Sequence, residues 1–115
     1  VRIKYPWFLE IGDYSWIGED VWIDNLDFVV IKENVCVSQG AMILSGAHNY
    51  KSEKFDLMTK KITIESGAWI CAKSVVLQGV KCKSNSILST SSVAVSDLDA
   101  NFIYKGNPAI KYKER

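Results

Sequence analysis

The chain holds a single imidazole, His48, in the stretch LSGAHNY, and three thiols, Cys36, Cys71 and Cys82. An imidazole titrates near neutral pH, so it can take a proton from a weak nucleophile as that nucleophile attacks. His48 is therefore the one side chain suited to general-base work without a metal. A zinc centre of the three-histidine type needs more imidazoles than the chain has, and no metal is expected. The cysteines form no CxxC pair, and any disulfide scheme leaves one over. That usage fits small buried side chains in a reducing compartment, which points to the cytoplasm.

A lone histidine is more often a structural or solvated residue than a base, so its setting decides. His48 stands where a six-residue metre stops. From Ile11 the chain runs IGDYSW, IGEDVW, IDNLDF; after a two-residue slip it runs IKENVC, VSQGAM, ILSGAH; after a longer gap it resumes at IESGAW. The lead positions are Ile11, Ile17, Ile23, Ile31, Val37, Ile43, Ile64, Ile70, Val76, Cys82, Leu88 and Ala94, and ten of these twelve are Ile, Val or Leu. Composition alone would supply roughly a quarter to a third. Four places after each lead comes a small or β-branched residue in ten of twelve cases, with Asp27 and Leu98 the exceptions.

Neither a helical period of 3.6 nor a strand period of 2 accounts for this spacing, and the density of Gly, Ser and β-branched residues would weaken a helix. A triangular prism does account for it. Three short flat segments make one coil, the lead side chain points inward, and the small residue lets the chain turn a corner. Coils then pair by parallel β hydrogen bonds, with lead residues stacked eighteen apart. The expected fold is an all-β solenoid. An ordinary β-sandwich lacks support, because the Asn-Gly and Asp-Gly hairpin signals are missing.

From Ile43 to Ile64 is 21 residues, not a multiple of six, so part of HNYKSEKFDLMTKK must leave the prism. The expected arrangement is one domain over 1–115, an extruded loop over about 48–61 and a C-terminal tail over about 103–115. Loops on a rigid scaffold carry function disproportionately, and His48 stands at the root of this one. Tyr50, Phe55, Leu57 and Met58 read as anchors on a polar arm able to reach a neighbouring subunit. The chain opens at Val1 inside patterned sequence, which reads as part of a longer protein.

The hexad pattern resembles that of the left-handed parallel β-helix acetyltransferases over almost the whole chain. PWFLEIGDYSWIGEDVWIDNL, VSQGAMILSGAHNY, GAWI and YKGNPA are similar to the maltose and galactoside O-acetyltransferase branch, and in particular to the colanic acid biosynthesis acetyltransferases. The left hand comes from that resemblance, since general crossover rules favour the right. The resemblance implies that His48 is the catalytic base, that Asn25 assists at the substrate, and that acetyl-CoA is the acyl donor. It further implies that Trp69 and Ala72 border the thioester, Thr90 flanks the pantetheine arm, and Gly106, Asn107 and Pro108 turn the chain near the nucleotide. Lys111 and Lys113 would meet its phosphates. The chain departs from the family pattern at Val95-Ser96, where relatives carry Thr-Lys, and at Ile110, where many carry Lys or Arg. A homotrimer with sites between subunits is implied as well, and the surplus of rings at Tyr5, Trp7, Phe8, Trp16 and Trp22 suits a subunit contact or a sugar-binding surface.

Composition bounds the partners. A formal net charge of +1 gives no field for nucleic acid, and no apolar run is long enough for a membrane span or a leader. The acceptor suggested is a sugar or nucleotide-sugar hydroxyl used in exopolysaccharide synthesis. Two alternatives stay open: a non-catalytic β-helix serving as a scaffold, and transfer to an amine.

Overall fold

A computed structural model describes all residues 1–115, and it is a three-sided stack of parallel β coils. The first face is built from Arg2–Ile3, Trp22–Asp24, Met42–Leu44, Val75–Val76 and Val93–Ala94. The second comprises Leu9–Ile11, Val29–Ile31, Ile62–Ile64 and Lys81–Cys82, with Leu98 bridging to Cys82. Trp16–Ile17, Cys36–Val37, Trp69–Ile70, Ile87–Leu88 and Phe102–Gly106 make the third. Ala109–Glu114 then turns back antiparallel to that last rung. The tail is thus half scaffold: Ile103 and Tyr104 continue the third face above Ile87 and Leu88, and only 109–114 leaves it.

The lead residues form the core. Ile23, Val37, Ile43, Ile64, Ile70, Val76, Cys82, Leu88 and Ala94 are all 0% exposed. Ile11 is 44% exposed because no coil lies beneath the first one. Inward side chains stack rung on rung, so each apolar residue is desolvated by its neighbours above and below rather than by a second layer. The stack is left-handed.

Corners are made by a residue in the left-handed backbone region three places after the lead: Tyr14, Asp20, Asn34, Gly40, Gly67, Lys73, Gly79, Asn85 and Ser91, with Asn101 three places after the inward Leu98. Each coil's corner is tied to the next by backbone hydrogen bonds such as Lys73 N–H to Gln39 O at 3.0 Å and Ser91 N–H to Ala72 O at 3.0 Å. The coil length is not constant. Ile11 pairs with Ile31, Ile31 with Ile64, and Ile64 with Cys82, so successive steps are 20, 33 and 18 residues. The expected eighteen holds only for the steps from Ile64, Ile70 and Val76, and the last steps, Cys82 to Leu98 and Leu88 to Tyr104, are sixteen; two extra residues swell the corner at 24–28, and fifteen leave the prism one coil above it.

Candidate active site

The excursion is a β-hairpin. Gly46–His48 pairs antiparallel with Leu57–Thr59, so the arm starts two residues before the expected loop and projects from the edge between the first and second faces. Ser45 anchors its root. That side chain is fully buried, and its hydroxyl donates to Asp24 O at 3.0 Å while accepting the Asp27 N–H at 3.0 Å. Lys60 N–H closes the base by donating to Ser45 O at 3.0 Å. Gly46 leaves room for the corner below, since a Cβ there would lie 2.7 Å from Leu26 Cδ1.

His48 is the last residue of the outgoing strand and its ring is exposed. Its Nδ1 lies 3.0 Å from the Phe55 carbonyl oxygen. A carbonyl can only accept, so Nδ1 carries the hydrogen and the neutral ring's lone pair is on Nε2. The Phe55 ring lies flat against the imidazole, with centroids 4.5 Å apart and planes 10° from parallel. Phe55, read from the sequence as an anchor of the arm, is exposed and lies against His48 through a backbone φ of 53°. Nothing in residue type or spacing signalled that reversal.

Asn25 lies on the same edge, in the swollen corner under Ser45, and is 0% exposed. Its Oδ1 accepts the Tyr5 N–H at 2.9 Å, and its Nδ2 donates to Tyr5 O at 2.6 Å. Both ends of the amide are thus committed to the first coil's backbone, pinning the segment that carries Tyr5, Trp7 and Phe8. Those rings pack on one another and on Phe28, with the Phe8 and Phe28 centroids 5.1 Å apart, and Trp7 stays largely exposed. The edge that bears His48 therefore also bears an aromatic surface about two rungs, or roughly 10 Å, below it.

The other candidates gather elsewhere. Ala72 and Thr90 stack on the edge between the third and first faces, and Gly106 joins that column by donating its N–H to Ser92 Oγ at 2.9 Å. Trp69 lies beside it on the third face, 43% exposed, its Nε1 donating to Ser38 Oγ at 2.9 Å. Lower on the same edge Trp16, Gly18, Glu19 and Gln39 line an open groove. Asn107 and Pro108 form the turn between the two last strands. Lys111 is drawn to the opposite edge of the third face, where it bonds the Asp99 carboxylate at 2.8 Å and covers the Phe102 ring at 4.1 Å. That bond holds the Asp99 carboxyl below its ordinary range and the Lys111 ammonium above its own. Lys113 caps Tyr112 at 5.6 Å. The structure groups Trp69, Ala72, Thr90 and Gly106, and separates both lysines and His48 from them.

No cysteine adjoins the imidazole as a nucleophile. Burial pushes the Cys82 thiol up to about 12 and the Cys71 thiol up to about 11, so both are protonated at neutral pH.

No family model matches the chain. It is 32% identical over 115 residues, its whole length, to an Escherichia coli protein named as the colanic acid biosynthesis acetyltransferase WcaF, and spans 63% of that relative. A Vibrio cholerae hexapeptide-repeat acetyltransferase solved with acetyl coenzyme A superimposes with a TM-score of 0.93 at 21% identity, over 98% of this chain and 63% of that one. A Clostridium difficile maltose O-acetyltransferase gives 0.93 at 19% identity, over 98% and 62%. The Bacillus cereus N-acyltransferase AntD, solved with dTDP and coenzyme A, gives 0.86 at 18% identity, over 93% and 63%. The resemblance read in the hexads thus holds in sequence and in fold.

Proposed function

We propose that this left-handed β-helix, similar along its whole length to hexapeptide-repeat acetyltransferases, forms the core of an acetyl-CoA-dependent O-acetyltransferase acting on a saccharide or nucleotide-sugar hydroxyl. The observation that carries the reading is the exposed His48 ring, with Nδ1 tied to a carbonyl and Nε2 free. A sugar hydroxyl is a poor nucleophile at neutral pH. His48 Nε2 takes its proton as the oxygen attacks the thioester carbonyl carbon, and backbone N–H groups hold the oxyanion that forms. The carbon–sulfur bond then breaks, the imidazolium returns the proton to the departing thiolate, and the products are an acetyl ester and free CoA. No acyl-enzyme is required, in keeping with the two protonated buried thiols.

In this reading Trp69, Ala72, Thr90 and Gly106 to Pro108 line the edge along which the acyl donor's pantetheine arm runs. The aromatic surface around Trp7 receives the sugar's apolar face. Asn25 acts through the segment it pins rather than by touching the acceptor, because its amide is already used. Lys111 and Lys113 meet phosphate only after leaving Asp99 and the Tyr112 ring. His48 and the donor edge belong to different edges of one prism, a full face apart, which favours a homotrimer whose sites combine the imidazole of one protomer with the donor edge of the next. The name of the E. coli relative points to exopolysaccharide building blocks, and the acyl donor and reduced cysteines suit the cytoplasm.

The test is thiol release from acetyl-CoA against a panel of free sugars, nucleotide sugars and amino sugars. His48→Ala should lower kcat by about two to four decades; near-normal turnover in that variant refutes the base assignment. The likeness in fold to AntD favours a second reading, transfer to a sugar amine, which the amino-sugar members of the panel separate from the first. Absence of thiol release with every acceptor, in a protein that CoA does not protect from heat, would favour a non-catalytic scaffold.

A further inference from the structure

Phe55 is the one non-glycine residue with positive φ that stands away from the corners of the prism; each of the others lies three places after an inward residue. A left-handed backbone suits glycine and, less well, asparagine, and is unfavourable for a bulky side chain. Glycine at 55 would turn the arm without that penalty. The chain instead places an aromatic ring there and secures the turn around it. Asn49 N–H donates to Asp56 O at 2.7 Å, Phe55 N–H to Ser52 O at 3.1 Å, and Ser52 Oγ to the Asp56 carboxylate at 3.0 Å. Strain of this kind, held by its surroundings, marks a position where the side chain has a task.

We infer that Phe55 is a positioning residue for His48, its carbonyl selecting the Nδ1–H tautomer and its ring fixing the plane of the imidazole. The inference rests on the general-base reading of His48. An exposed imidazole on a hairpin has two free dihedrals, and a hydrogen bond at Nδ1 still lets the ring rock about the bond to its acceptor. A flat ring at 4.5 Å removes that freedom, so Nε2 keeps one direction. In a reaction between aligned atoms, a misdirection of this order has a large effect on rate and little on binding. The left-handed turn is what allows one residue to present both its carbonyl and its ring to the same imidazole.

The two contributions can be separated by substitution. Phe55→Gly keeps the turn and the carbonyl and deletes the ring; Phe55→Asn does the same with a second side chain that tolerates the backbone; Phe55→Trp keeps a flat ring. Since His48 is the only histidine, its side-chain nitrogen resonances are identified without further variants. The wild type should show the Nδ1–H tautomer with one ring environment. The Gly and Asn variants should show averaged nitrogen signals, and Trp should restore the wild-type pattern. In thiol release from acetyl-CoA with maltose as acceptor, Phe55→Gly should lower kcat about tenfold to a hundredfold with little change in the KM for acetyl-CoA, and Phe55→Trp should recover most of it. A Phe55→Gly protein with an unaltered imidazole spectrum overturns the positioning role, whatever the enzyme turns over. Undiminished turnover in His48→Ala instead overturns the base assignment on which it rests, and is read without reference to Phe55.

Discussion

At the scale of single residues, the site is built from side chains whose roles differ from what their types suggest. Asn25 has the amide of a substrate-binding residue, yet both its polar ends bridge the Tyr5 backbone inside the stack. Asn25→Leu leaves the part-buried Tyr5 N–H without a partner, at a cost of about 1–3 kcal/mol, whereas Tyr5 O keeps the Phe8 N–H at 2.9 Å. The expected outcome is a lowered melting temperature with residual kcat above that of His48→Ala; loss of activity at full thermal stability would argue for direct contact with substrate. Cys82 is a lead residue whose thiol is held neutral by burial first, with Asp97 and Glu65 adding to the effect. Its folded value of about 12 lies above the ordinary thiol value of 9.0, so its full contribution to stability is present below pH 9 and is lost as pH rises from there toward 12. Across that window the unfolded chain releases a proton the folded chain keeps, and stability falls by about 1.4 kcal/mol per pH unit. Cys82→Val removes this dependence. The melting temperature of the wild type should therefore drop more steeply than that of the variant between pH 9 and pH 11, and parallel curves would show that the thiol is not the cause.

The repeating element was legible where the rule is local and illegible where it depends on what lies across the stack. Lead positions from Ile23 to Ala94 are inward because a six-residue period leaves the branched side chain no other direction. Ile11 obeys the same local rule and is still 44% exposed, because burial needs a coil on both sides. The break at His48 was visible as arithmetic, but its resolution into a hairpin from Gly46 to Thr59 was not, since no Asn-Gly or Asp-Gly marks its turn. Asn25 and Phe55 escaped for one reason: each is defined by a partner's backbone, Tyr5 twenty residues back and His48 seven residues back, and a sequence pattern carries no trace of such pairings. Gly18 shows how tightly coils stack. A Cβ there would lie 2.7 Å from the Gln39 backbone nitrogen, an atom that moves only with the coil above. Gly18→Ala should lower stability by about 1–3 kcal/mol, as overpacking does in cores. A denaturant midpoint equal to that of the wild type would mean that the first coil lifts away freely.

At the scale of the whole molecule, the separation of chemistry between edges is what argues for assembly. The imidazole and the rings of Trp7, Tyr5 and Phe8 lie on one edge, whereas Trp69, Ala72, Thr90 and Gly106 lie on or beside the next. Six residues of extended chain reach at most about 20 Å, so in the proposed reaction one face divides the base from the donor, which must meet within van der Waals contact. A cyclic arrangement of identical prisms brings the edge of one protomer against the other edge of its neighbour, and closure makes every contact alike. Two inactive variants then rescue each other. His48→Ala lacks the proposed base but keeps the proposed donor edge intact, and Thr90→Trp fills that edge but keeps the imidazole. Unfolded together in equal amounts and refolded, random mixing in a ring gives each site one protomer of each kind in the productive order about a quarter of the time, so about a quarter of wild-type turnover returns. Sites contained within one chain would return nothing on mixing, and a sedimentation coefficient matching one protomer at micromolar concentration would exclude the arrangement outright.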